Sequence, residues 1–228
     1  MTAAELPQER KPLGGWQQLS KEVAAFVRDS IMAGQMKPGE FIRTERLAEE
    51  LGVSATPVRE ALMTLQSEGS VMWEPRRGYR VAAISAQDII DLYDVQAYIA
   101  GGLAARAAEI LPTEAITHLQ SLQTALTDAA RAGDLTRVDE LNHEIHRTIN
   151  RAAGPSQLVT LLAVTARYAP RRFFGKITGW ANASAHDHGA IFDALMRRDP
   201  DAASTAMADH IRHAGLLLAE HLREREEQ

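Results

Sequence analysis

From residue 84 to residue 228 the sequence shows only the hydrophobic periodicity of amphipathic helices. Six helical segments are expected, and the breaks between them coincide with proline, glycine and aspartate, which favour helix ends. The expected segments are residues 86–109, 112–131, 135–152, 155–170, 184–197 and 199–224. Because apolar helix stripes without a neighbouring sheet can be buried only against one another, this part of the chain is predicted to be an all-α six-helix bundle.

The preceding residues 16–83 combine short helices with two short strands. In "TERLAEELGVSATPVREAL" a helix is expected to begin at Thr44, Gly52 supplies a sharp turn, and Pro57 lies in the first turn of the next helix. The later "VMWEPRRGYRVAAI" predicts two strands around a turn at residues 75–78. This arrangement is typical of a winged helix-turn-helix, so the whole chain is expected to be mainly α.

Three regions are therefore expected: a loose tail over residues 1–15, a winged helix-turn-helix over 16–83 and the helical bundle over 84–228. Residues 1–83 contain 11 Lys and Arg against 11 Asp and Glu, whereas residues 84–228 contain 14 against 19. The first third is thus the better candidate for contact with a negatively charged partner. With no cysteine, no long apolar run and no secretory leader, the sequence indicates a cytoplasmic protein without membrane contact.

The second helix of the helix-turn-helix is expected to present its exposed face to a major groove. Hydroxyl groups near a helix start suit phosphate contacts, and Arg59 is placed to make paired hydrogen bonds to guanine. The three arginines around Gly78 are expected to follow the DNA backbone along the wing. The predicted DNA-contacting residues are Thr44, Ser54, Thr56, Arg59, Arg76, Arg77, Gly78 and Arg80.

The segments "LAEELGVSATPVREAL" and "PRRGYRV" resemble the DNA-binding domain of the GntR superfamily of bacterial regulators. The resemblance covers residues 16–83 and implies a winged helix that reads operator DNA. One departure is Ala55, where the family very often has arginine. If that arginine normally contacts DNA, the operator of this protein differs or is bound more weakly, and Arg59 is the main candidate for base reading.

In the bundle, "LNHEIHRTIN" places polar residues on an apolar helix face. At 100° per residue, Asn142 and His146 lie within the apolar stripe of this helix, whereas His143 lies off its edge. The apolar residues of the stripe are Leu135, Val138, Ile145 and Ile149. Burying two polar side chains is costly unless they are paired or bind something. This helix is therefore expected to present ligand-binding side chains to the core.

Two further histidines occupy apolar stripes on other helices. His188 shares a face with Ile191 and Leu195, on a helix that a Ser184–Asp187 capping box is expected to begin, and His210 follows Met207 at helical spacing. The amide oxygen of Asn142 and a ring nitrogen of His146 lie four residues apart on one helix. Together with two histidines from other helices, they fit a metal site inside a bundle. The alternative is that each histidine is a core residue bonded to a backbone carbonyl; the coincidence of three favours the metal site.

The Asn-x3-His pair, "DHGAIFDAL" and "MADHI" resemble the FCD effector domain of the FadR subfamily, and six helices suit its VanR-like group. The resemblance implies a Zn²⁺ or Ni²⁺ ion whose open positions meet a small organic acid, a carboxylate or sugar acid. It places the ligands on Asn142, His146, His188 and His210. Asn142 keeps an oxygen ligand but lacks the charge of an aspartate, which lowers the expected metal affinity.

A second departure concerns the residues that would hold the effector. Gln96 stands where the family usually has an effector-binding arginine, and Ala100 where it usually has glutamate. Arg171 and Arg172 are candidates to substitute for that arginine, although adjacent arginines after a proline are also typical of a solvated loop. The predicted effector-binding residues are Gln96, Arg171 and Arg172.

These features together predict a ligand-responsive transcriptional repressor that binds a palindromic operator as a homodimer. One alternative is a metalloenzyme with a three-histidine site. "HEIH" at residues 143–146 is one residue short of the H-E-x-x-H spacing of metalloproteases, and Asp139 is the nearby carboxylate candidate for a general base. The other alternative is a DNA-binding protein whose C-terminal domain is purely structural.

Overall fold

The computed structural model describes residues 14–166 and 179–226. The chain divides into two compact units between Ala82 and Ala83. Within the described ranges, every helix is too short or too polar to cross a membrane.

The first unit is a small helical domain closed by a three-stranded antiparallel sheet, with the strands in the order β1-β3-β2. In the register of the hairpin, Trp73 lies opposite Tyr79. This confirms the predicted winged helix-turn-helix. The elements are α1 (Gly14–Met32), β1 (Phe41–Ile42), α2 (Thr44–Leu51), α3 (Ala55–Ser67), β2 (Val71–Glu74) and β3 (Gly78–Val81).

Two glycines make the sharp turns of this unit. Gly52 ends α2 with φ 66°, and Gly78 has φ 94° where the wing turns into β3. Both angles lie in the left-handed region, which glycine adopts without steric penalty. The helices then meet over a core in which Val27, Leu62 and Leu65 are fully buried.

The described part of the second unit is entirely helical, as the periodicity predicted. Its helices are α4 (Ala86–Ile110), α5 (Thr113–Ala132), α6 (Leu135–Ala152), α7 (Gln157–Thr165), α8 (Trp180–Met196) and α9 (Pro200–Glu226). A capping box begins α4: the Ser85 hydroxyl accepts a hydrogen bond from the Asp88 backbone N–H at 3.1 Å, and the Asp88 carboxylate accepts one from the Ser85 N–H at 2.8 Å.

The two longest helices, α4 and α9, pack along each other, and α8 packs against both α9 and α5. Helices α4 and α9 approach closely at Gly215, where an added Cβ would lie 2.5 Å from the Cβ of Tyr93. Any larger residue at this position would force the helices apart. The resulting bundle lets side chains of α5, α6, α8 and α9 meet in its interior.

One predicted helix start is wrong. Helix α8 begins at Trp180, after Gly179 with φ 81°, so Ser184 lies inside the helix and is 2% exposed. The Ser184–Asp187 spacing matches a capping box, but the four residues before Ser184 are already helical. The helix therefore begins about one turn earlier than the capping-box spacing predicts. Of the predicted segment 155–170, the structure describes α7; Arg171 and Arg172 lie outside the described residues.

Candidate metal centre and nucleic-acid interface

The polar face of α3 is exposed, as DNA contact requires. Ser54, Thr56 and Arg59 all lie on the surface, and Thr44 is half-buried at the start of α2. The Arg59 guanidinium lies 3.1 Å from the Glu45 carboxylate, and its side chain is 60% exposed. Such an exposed ion pair contributes little free energy, so Arg59 can leave it for a base or phosphate at small cost.

The arginines of the wing have different surroundings. Arg80 and Arg77 both lie near the Glu74 carboxylate, at 2.7 and 3.7 Å, and the Arg77 guanidinium stands 5.0 Å from the centre of the Phe41 ring. Arg76 is exposed at the turn, with φ 64°. Among the described residues Arg76 has no ion-pair partner, so it is the wing arginine most readily available to a phosphate.

In the second unit, the three predicted histidine ligands come together. His146 of α6, His188 of α8 and His210 of α9 each offer a ring nitrogen, and these atoms lie within 4.8 Å of one another. The Nε2 atoms of His146 and His210 are 3.1 Å apart. Two histidine nitrogens on one tetrahedral zinc ion lie about 3.3 Å apart, given Zn–N bonds of about 2.0–2.1 Å. Small shifts of the three rings would therefore bring their nitrogens to the separations expected around a zinc ion.

Two buried acceptors on α6 and α8, the helices of His146 and His188, lack protein partners. His188 Nε2 and Asn142 Oδ1 are buried and have no hydrogen-bond partner among the residues that the structure describes. Asn142 lies one helical turn before His146 on α6, which places both on one face. An unsatisfied buried acceptor costs about 1–3 kcal/mol, and a bound cation would relieve that cost for both atoms. The donor set thus fits a divalent ion held by imidazole nitrogens and an amide oxygen.

The opposite ring nitrogens are held by side chains that sequence reasoning missed. His188 Nδ1–H donates to Gln123 Oε1 of α5 at 2.6 Å, and His210 Nδ1–H faces an Asp187 carboxylate oxygen at 3.4 Å. The same Asp187 oxygen accepts a hydrogen bond from His213 Nδ1–H at 3.0 Å. These contacts fix the tautomers so that Nε2 of His188 and of His210 keeps its lone pair for a metal.

Burial keeps two of the histidines neutral. Desolvation, with repulsion from His210 and His143, lowers the pKa of His146 to about 3. Desolvation and the neighbouring histidines also lower the pKa of His188 well below its ordinary value. A hydrogen bond from His210 lowers the pKa of the Asp187 carboxyl, and a second from His213 adds to the effect. The site thus presents neutral imidazoles beside one carboxylate, a combination suited to a divalent transition metal.

The predicted effector residues are only partly described. Gln96 is buried, and its side-chain N–H donates to the Thr165 backbone carbonyl at 3.2 Å, which ties α4 to the end of α7. Its role toward an effector stays a prediction, as do those of Arg171 and Arg172. His143, expected on the solvent side of α6, is exposed.

Replacing Gln123 with leucine should weaken zinc binding about 10–100-fold, because His188 Nδ1–H loses its acceptor and the ring is free to reorient. Competition with a chelating dye measures the dissociation constant. The matched control is Gln120→Leu, an exposed position on the same helix, which should leave affinity unchanged. Equal affinities for Gln123→Leu and wild type would refute the positioning role.

Comparison with protein families gives two adjacent matches. Residues 19–81 match the family described as "Bacterial regulatory proteins, gntR family", and residues 91–213, more than half of the chain, match the FCD domain.

Comparison with individual proteins gives relatives that are described as transcriptional regulators. An HTH-type transcriptional regulator from the TAR-I ttuE-ttuC' intergenic region of Agrobacterium vitis is 30% identical over 131 residues, covering 56% of this chain and 77% of the relative. A probable D-xylose utilization operon transcriptional repressor of Paenarthrobacter nicotinovorans is 25% identical over 85% of each chain. The solved structure of Escherichia coli McbR/YncC superposes with a TM-score of 0.70 at 22% identity, over 90% of this chain and 98% of that one, which shows a shared fold.

Proposed function

Because this chain belongs to the GntR family of bacterial regulatory proteins and carries an FCD domain, we propose that it is a metal-dependent, ligand-responsive repressor. Its families and relatives are transcriptional regulators rather than enzymes, which removes the metalloenzyme alternative. The observation that carries the proposal is the cluster of half-buried His146 with buried His188 and His210, in the unit that follows the winged helix-turn-helix. A regulator of chromosomal genes would act in the bacterial cytoplasm.

In the proposed DNA complex, α3 enters the major groove. Arg59 reads a base, Ser54 and Thr56 contact phosphates at the helix start, and the wing places Arg76 on the flanking backbone. Thr44, Arg77, Gly78 and Arg80 complete the proposed interface. The exposure of Arg59 and Arg76 supports these roles.

The repressor would bind a palindromic operator as a homodimer, since two copies present two recognition helices to two half-sites. Apolar side chains on the second unit support association: Val95 and Tyr98 of α4 are 51% and 81% exposed. Exposed aromatic and aliphatic side chains on one helix face are typical of protein interfaces.

In the proposed sensor, His146, His188, His210 and Asn142 hold a Zn²⁺ or Ni²⁺ ion. The bound ion would act as a Lewis acid that holds an oxygen of a small organic acid. The protein's own part is to supply neutral imidazoles, orient them through Gln123 and Asp187, and exclude bulk water by burial. Gln96, Arg171 and Arg172 are proposed to contact the effector beyond the ion.

Replacing Arg59 with alanine should weaken specific operator binding about 10–100-fold, the cost of losing a paired hydrogen bond to a base. The measurement is a gel shift with an operator selected from random DNA by the wild-type chain. Arg131→Ala is the matched control, because it removes an exposed, ion-paired arginine from the second unit. Unchanged affinity of Arg59→Ala would contradict the assigned role.

Coupling between the metal site of the second unit and DNA binding by the first unit can be tested with the same operator. Operator affinity is measured for the zinc-loaded chain, for the chelator-treated chain and for His146→Ala. Metal-dependent regulation predicts that the zinc-loaded and the chelator-treated chains bind the operator with different affinities. In His146→Ala, the operator affinity should not depend on zinc. Because coupling is reciprocal, operator DNA should shift zinc affinity by the same factor. Identical affinities in all three would contradict metal-dependent regulation of operator binding.

A further inference from the structure

A methionine of α3 is exposed, although the same helix has a well-buried apolar face. Met63 is 62% exposed, whereas Val58, Leu62 and Leu65 are fully buried. A single exposed apolar residue is common on protein surfaces, so the exposure alone indicates no function. The position of Met63 on the helix therefore decides whether it takes part in binding.

Met63 lies on the face that α3 would present to DNA. At 100° per residue, Met63 is about 160° from Leu65, so it lies almost opposite the core. It is about 40° from Arg59 and about 20° from Thr56, both of which are exposed. Side chains four residues apart on a helix are neighbours, with Cβ atoms about 5–6 Å apart. An approach that brings Arg59 to the base edges therefore brings Met63 into the groove as well.

The chemistry of a thioether selects one group of the major groove. Methionine has no N–H or O–H donor and only a weak acceptor. Over a polar base edge it would displace water from donors and acceptors without replacing their hydrogen bonds, which is unfavourable. Thymine is the base whose major-groove edge carries an apolar group, its C5 methyl. The flexible, polarizable methionine side chain can adjust to pack against that methyl.

We propose that Met63 is a specificity-determining residue that reads thymine through its C5 methyl in the major groove of the operator. This inference rests on the proposed entry of α3 into that groove and adds a base preference. Residues one turn apart are separated by about 6 Å along the helix axis, and successive base pairs by about 3.4 Å. The thymine therefore lies within about two base pairs of the base that Arg59 reads.

Replacing thymine with deoxyuridine tests this contact, because deoxyuridine pairs with adenine in the same way and lacks just the C5 methyl. Each thymine of the operator selected by the wild-type chain is replaced in turn, and binding of the full-length chain is measured by fluorescence anisotropy. At one thymine of each half-site the replacement should weaken binding about fourfold, the effect of removing one buried methyl group. If no replacement weakens binding by the wild-type chain, the proposal is overturned.

Variants of Met63 assign the contact to its side chain. In Met63→Ala, deoxyuridine at the sensitive position should cause no further loss of affinity, whereas Met63→Leu should keep most of the methyl effect. Alanine and leucine both favour helices and the position is exposed, so α3 should fold normally. The matched control is Met72→Ala, at another exposed methionine of the same unit, which should keep the full effect. A methyl effect that persists in Met63→Ala would belong to another residue and would overturn the proposal.

Arg59→Ala, titrated on the same oligonucleotides, separates a failure of the thymine contact from a failure of the proposed DNA complex. If Arg59→Ala weakens binding and no methyl effect depends on Met63, α3 reads DNA without Met63, and the thymine contact alone is overturned. If neither substitution changes operator affinity, the proposed entry of α3 into the groove is overturned as well. A methyl effect that Met63→Ala removes, within two base pairs of the position where Arg59→Ala relaxes the base preference, would support both.

Discussion

Zinc should raise the unfolding temperature of the second unit by about 10 °C when free zinc exceeds its dissociation constant a thousandfold. A ligand that binds only the folded state at this excess stabilises it by about 4 kcal/mol. For domains of this size each kcal/mol raises the unfolding temperature by about 2–4 °C. The effect is large because the ion would satisfy His188 Nε2 and Asn142 Oδ1, and would separate the facing Nε2 atoms of His146 and His210.

Differential scanning calorimetry of the metal-free and zinc-loaded chains measures this shift. Each variant is compared with its own metal-free form, so a change in intrinsic stability does not affect the result. His188→Ala should abolish the shift, whereas His118→Ala, at an exposed position on α5, should retain it in full. A shift of wild-type size in His188→Ala would show that zinc binds elsewhere.

The parts of this candidate metal site that could be predicted are those that one helix determines alone. Helical periodicity gives the angle between any two residues on the same helix, so it identified Asn142 and His146 as inward-facing. The same reasoning placed His188 and His210 on apolar stripes, and the structure brings these two together with His146. The winged helix-turn-helix of the first unit was predictable for a similar reason, because its turns depend on local residues such as Gly52 and Gly78.

The partners that orient the histidines could not be predicted in this way. Gln123 is 65 residues from His188 in sequence, and Asp187 is 23 residues from His210. Which helices face each other, and in what register, depends on the packing of the whole bundle rather than on any local pattern. Asp187 even carried a misleading local signal, because its spacing from Ser184 matches a capping box. In the structure Asp187 instead accepts hydrogen bonds from His210 and His213.

The metal-free second unit should lose stability steeply as the pH falls below 6.5. Burial lowers the pKa of His146 to about 3 and that of His188 well below its ordinary value. In the unfolded chain both take up protons near pH 6.5, while the folded chain stays neutral there. The unfolded state therefore binds more protons below pH 6.5, and stability falls with decreasing pH by about 1.4 kcal/mol per unit for each histidine.

His146 alone should remove about 2 kcal/mol between pH 6.5 and 4.5, and His188 adds to the loss in the same direction. Folded proteins typically have only about 5–15 kcal/mol of stability, so the effect is readily measured. Ordinary carboxyl groups take up few protons above about pH 5.5, so the slope between pH 6.5 and 5.5 reports the histidines. Urea unfolding of the chelator-treated chain at several pH values measures it. His146→Gln should reduce the slope by about 1.4 kcal/mol per pH unit, and His118→Gln should leave it unchanged. A stability that does not change between pH 6.5 and 4.5 would mean that His146 and His188 can be protonated in the folded state, and would argue against a cluster buried as neutral ligands.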